Sequence, residues 1–154
     1  MSDLGDLNEL GKITPCWTVT FRRTSRQPPG PWADRFSPYL RDAVLSSASV
    51  EGGYILEGAD FLPRHTRALA AETPVTACFL GLSTPDLAAI DAHAGRMDYP
   101  QHERPAVRAG LAGWIAAWTA EVRAECQDLD LPFFDLAGDY EAQADRALRA
   151  LAAG

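Results

Sequence analysis

Two carboxylates, Glu57 and Asp60, close a short apolar run, Tyr54-Ile55-Leu56. A carboxylate at the end of a buried strand can hold Mg²⁺ through water or orient a substrate hydroxyl. The plainer alternative is a carboxylate that caps the next helix or pairs with Arg64. Arg104 and Arg108 stand four residues apart in a helical pattern and so share a face, with Arg96 in the loop before them. Arg22, Arg23 and Arg26 form a second basic stretch, RRTSRQPPGPW at 22–32. Guanidinium forks suit anionic groups, and these two sets would have to converge to hold an anionic substrate. Otherwise Arg104 and Arg108 belong to a solvated face that pairs with Glu103 or Asp98. His65 reads as a hydrogen-bond partner of a neighbour, Asp135 as a cap or turn residue, and Trp114 and Trp118 as core packing. Cys16, Cys78 and Cys126 are far apart, with no CxxC pair and no histidine at zinc-ligand spacing. They are expected to be reduced, buried thiols, with no metal site.

The elements that must position these residues alternate in type. ITPCWTVTF at 13–21 contains one β-like run, Trp17 to Phe21. The proline-rich stretch 22–32 is a loop. A helix is expected from about Ala33 to Ser47, with Phe36, Leu40, Ala43 and Val44 on one face and Pro38 early enough to do little harm. A short strand at 54–56 follows the Gly52-Gly53 turn. Then come a helix at 63–71 opened by Pro63, an apolar run from Val75 to Leu80 closed by Gly81, and a helix capped by Thr84. After the polar loop 96–104, a long helix runs from about Pro105 to Gln127. Its stripe is Val107, Leu111, Trp114, Trp118 and Val122. A last strand covers 131–136, and a closing helix at 139–152 turns Tyr140, Ala144, Ala147, Leu148 and Leu151 inward. Short apolar strands without alternation, separated by helices, predict a parallel sheet covered by helices, an α/β fold. Ligands in such folds sit beyond the carboxyl ends of the strands. Here that means Glu57 to Asp60, Gly81 to Ser83 and Asp135 to Gly138.

Composition limits the classes. A chain of 154 residues fits a single domain, with an irregular region at 1–32 and an α/β core at 33–154. Hydrophobic residues are 47% and charged residues 23%, which excludes a mostly disordered chain. No stretch approaches the apolar length of a membrane span. The net charge of −7 repels phosphate backbones, so nucleic acid is not an expected partner. The start MSDLGDLNEL lacks the basic region and apolar core of a signal peptide, and a cytoplasmic location is expected.

The segments YILEGADFLP (54–63), VTACFLG (75–81), the arginine-bearing 96–108, WTAEVRAEC (118–126) and LPFFDLAGDYEAQADRAL (131–148) come in a telling order. Together they resemble small P-loop kinases, the group of nucleoside and nucleotide kinases and antibiotic phosphotransferases, over about residues 50–154. The resemblance implies a three-layer parallel sheet and a small hydroxylated metabolite as substrate. It makes Glu57 and Asp60 the acidic strand end, and Arg96, Arg104 and Arg108 the lid arginines that neutralise a transferred phosphoryl group. It also places Asp3 or Asp6, in the segment after the second strand, as general base for the acceptor hydroxyl; the plain alternative is a frayed acidic terminus.

The departure from the family is the phosphate loop. GxxxxGK[ST] is absent, and Lys12 after Gly11 is followed by Ile13. The fold is then truncated or degenerate at its N-terminal strand and loop, either because the chain is shortened or because a relative has lost ATP binding. Trp17 to Phe21 could refill the central strand, with Arg22, Arg23 and Arg26 in place of the lysine. ATP and Mg²⁺ are implied only if a phosphate loop is supplied elsewhere. Two alternatives stand beside the kinase-like reading. One is a non-catalytic binding or scaffolding homodimer, favoured by apolar surface beside a missing strand. The other is a different small enzyme that holds an anionic substrate with arginines.

Overall fold

The structure, a computed structural model, describes residues 29–47, 55–58, 61–93 and 105–153. Along the chain these form helix α1 (Pro29–Ser47), helix α2 (Pro63–Leu69), strand β1 (Phe79–Gly81), helix α3 (Leu87–His93), helix α4 (Pro105–Asp128), strand β2 (Phe133–Asp135) and helix α5 (Tyr140–Ala152). β1 and β2 pair in parallel, with Phe79 opposite Phe133, Leu80 opposite Phe134 and Gly81 opposite Asp135. Parallel neighbours cannot be joined by a tight turn, and the crossover here contains α3 and α4. The molecule is therefore a mixed helix–strand structure around a small parallel sheet.

Side chains alternate across a strand, and the alternation sorts the helices. Arg123 of α4 lies 5.1 Å over the Phe133 ring, whereas Arg146 of α5 lies 5.8 Å over the Phe134 ring. The two helices thus cover opposite faces. On the α4 face Phe79, Val122 and Cys126 form the core, with Ala77, Trp118, Leu131 and Phe133 packed around them. The α5 face is less complete, and Leu80 on that side is 54% exposed.

The expected stripe on α4 holds only in its second half. Thr119, Val122 and Cys126 are buried, but Val107 and Trp114 are exposed. Length explains this. A three-residue strand spans about 10 Å, whereas a 24-residue helix runs about 36 Å and outreaches the sheet. The same limit acts on α5: Ala147 is buried, but Tyr140 and Leu148 point to solvent instead of inward.

Helix ends follow local chemistry. Asp139 caps α5 by accepting from the Ala142 N–H at 3.0 Å. Asp86, not Thr84, caps α3, accepting from Ala88 and Ala89 at 2.8 and 3.3 Å. α2 has no side-chain cap and starts on Pro63, whose missing N–H costs nothing there. α4 ends in a Schellman turn: Leu131 N–H donates to the Cys126 carbonyl, and Asp130 N–H to that of Gln127. Asp130 takes the left-handed conformation this turn needs, with φ 53°. Leu131 then packs on the core beside Cys126, and the chain enters β2 two residues later.

Two further expectations fail. α1 begins at Pro29, four residues before Ala33, so Pro38 sits inside the helix and not near its start. Residues 55–58 are not in a strand, and Ile55 is 74% exposed. A strand needs a neighbour for its N–H and C=O groups, and none is present among the described residues.

Candidate functional site

The carboxyl ends of β1 and β2 lie side by side, and Asp135 ties them together. Its Oδ1 accepts from the N–H groups of Ser83 and Ala137, both at 3.1 Å. Its Oδ2 accepts from the Arg123 guanidinium. Burial pushes the Asp135 carboxyl up, but the Ser83 and Ala137 donors and the Arg123 charge outweigh it and hold it below the usual carboxylate range. The Leu136 N–H reaches the Gly81 carbonyl at 2.8 Å, and Thr119 Oγ1 accepts from the Leu82 N–H at 2.9 Å. The loop donors that could face a ligand are thus spent on internal partners. Asp135 is an anionic turn residue, as its position in sequence suggests.

A second cluster joins three helices. Asp34 of α1 accepts from Arg64 and His65 of α2, and Arg64 also binds Glu125 of α4. Hydrogen bonds from Arg64, then from His65, hold the Asp34 carboxyl below the usual range. His65 therefore bonds a neighbour, as expected. Arg64 pairs with Asp34 and Glu125, whereas the sequence offers Glu57 or Asp60 as its partner. Nothing local signals the true pairing, since 30 and 61 residues separate the partners.

Among the expected site residues, Glu57 is exposed in the irregular segment 55–58 and does not end a paired strand. Arg108 lies in the first turn of α4 and is half-buried. Asp3, Asp60, Arg22, Arg26, Arg96 and Arg104 lie outside the described residues, as do Asp6, Arg23, Cys16 and the run Trp17 to Phe21. The convergence of the two arginine sets falls there too.

Among the described residues, no group of three or more His, Cys, Asp or Glu could hold a metal ion. Cys78 and Cys126 are free thiols. Burial, with the nearby Glu125 charge, pushes Cys126 up to about 11, so it stays protonated and unreactive. No described helix is long and apolar enough to cross a membrane. Neither cluster sets a nucleophile beside a base; both present guanidinium groups already engaged by carboxylates. No protein-family model, curated protein or solved structure matches the chain.

Proposed function

We propose that the chain is a P-loop-kinase-like α/β protein, related to ATP-dependent phosphotransferases of small hydroxylated metabolites, whose phosphate loop is missing or degenerate. The parallel register of β1 with β2 carries this reading. The crossover between them holds α3, the polar arginine-bearing segment 96–104 and α4, in that order. A kinase of this type needs the same order of core strand, lid, long helix and last strand. The three-layer sheet belongs to the proposal as well. Among the described residues one edge of β1 is unpaired, and the strand bearing the phosphate loop would lie there.

Phosphoryl transfer depends on positioning and on charge stabilisation. This sequence has no glycine-rich loop to wrap a triphosphate in N–H groups. Two lone guanidinium groups, Arg64 and Arg123, do not reproduce such a loop, and carboxylates occupy both in this structure. In this reading catalysis by the 154-residue chain is weak or absent, and ATP with Mg²⁺ enters only if a loop comes from elsewhere. Isothermal titration of this chain with ATP and Mg²⁺ tests the point. No heat is expected at millimolar nucleotide. Tight capture of ATP or ADP would overturn the reading.

One observation favours a second reading, a non-catalytic homodimer. Leu80 of β1 is 54% exposed, and Ile55, Tyr140 and Leu148 are also large apolar residues exposed to solvent; an exposed apolar residue on an open-edged strand favours association.

A further inference from the structure

Arg64 is gripped on both edges. Its Nη1 donates to both oxygens of Glu125 at 3.1 Å, and its backbone N–H reaches the same carboxylate. That fixes the guanidinium against α4. The opposite edge converges with the His65 ring on one atom, Oδ1 of Asp34. Nε lies at 3.0 Å, Nη2 at 2.8 Å and His65 Nε2 at 2.9 Å. An ionised carboxylate only accepts, so Nε2 carries the ring proton. His65 Nδ1 is buried and has no hydrogen-bond partner among the described residues. The ring is set in the protein, with His65 only 8% exposed. Three donors meeting at one oxygen, two of them from a guanidinium edge, match what a terminal phosphate oxygen accepts.

The occupant is more exposed than the cradle. The Asp34 side chain is 54% exposed. It sits on α1, which is held by its buried Ala33 and Leu40, by this contact and by Arg41, whose Nε and Nη2 donate to Glu72. Between the two ties lies Pro38. It has no N–H to donate to the Asp34 carbonyl, so the helix ladder is interrupted between the two clips.

We propose that Arg64 and His65 form a site for a phosphate-bearing small molecule, and that the Asp34 carboxylate fills it as an internal stand-in. The site rests on this geometry alone and is independent of the kinase-like reading. Glu125 neutralises part of Arg64, so affinity for a free ligand is modest. A tethered carboxylate also competes at an effective concentration in the millimolar range. The unaltered chain therefore takes up phosphate poorly.

Inorganic phosphate is the probe. In Asp34→Ala the cradle loses its competitor, and titration calorimetry should show phosphate binding at least about tenfold tighter than in the unaltered chain. Adding Arg64→Met to that variant should abolish the gain. A folded Asp34→Ala protein with unchanged phosphate affinity overturns the proposal. The unaltered chain supplies a measurement that does not depend on the variant folding: amide hydrogen exchange over residues 34–40. At phosphate concentrations well above that millimolar competition, exchange there should quicken severalfold relative to sodium chloride of equal ionic strength, by displacement of Asp34. Equal rates in the two salts overturn the proposal.

Discussion

Gly81 ends β1 where no other residue fits. A Cβ built there would lie 2.5 Å from Cζ of the Phe133 ring and 2.6 Å from Cγ2 of Thr119. Neither neighbour can yield freely. Phe133 lies beneath the Arg123 guanidinium, and Thr119 is buried with its hydroxyl bonded to the Leu82 N–H. Gly81→Ala must therefore spread β1, β2 and α4 apart, an overpacking that costs about 1–3 kcal/mol. In urea the unfolding midpoint should fall with the slope unchanged. An unaltered midpoint would mean that the ring has room to turn. The glycine closing the apolar run is plain in the sequence, but the reason for it is not, because Phe133 and Thr119 reach Gly81 only through the crossover.

At the scale of elements, the sequence was legible where a local device sets the structure. Pro63 and Pro105 open their helices and the Val107 stripe marks α4 as a helix, although the cap of α3 is Asp86 and not the expected Thr84. It was not legible where length or long-range pairing decides. The stripe does not tell that three-residue strands leave Val107 and Trp114 uncovered, nor that Ile55 lacks a strand partner among the described residues. The Asp34–Arg64–Glu125 cluster was hidden for the same reason: its members come from three helices far apart in the chain. The unpacked half of α4 leads to a prediction. Gly110 and Gly113 lie in it, and a Cβ added at either would meet no neighbouring atom within 4 Å. Glycine inside an exposed helix costs about 0.5–1 kcal/mol relative to alanine. Gly110→Ala and Gly113→Ala should each raise stability by about that amount, read as a higher melting temperature. A drop in either would mean that the glycine serves a close approach by a partner.

Over the whole molecule two forces oppose each other. Leu80, Ile55, Tyr140 and Leu148 expose apolar surface to solvent. The net charge of −7 on each copy resists the approach. Salt separates the two, because it screens charge and leaves apolar attraction in place: the screening length falls from about 10 Å at 0.1 M to about 3 Å at 1 M. If the homodimer reading is right, the mass from light scattering should rise with protein concentration, and rise more steeply at high salt. Association driven by ion pairs would respond in the opposite direction. Leu80 makes the test specific, since it lies on the less covered face of β1, beside the unpaired edge. Leu80→Lys puts a charge where the side chain is already half in water, so the fold should survive while dimerisation is lost. A chain that stays monomeric at both salt concentrations would remove the homodimer reading.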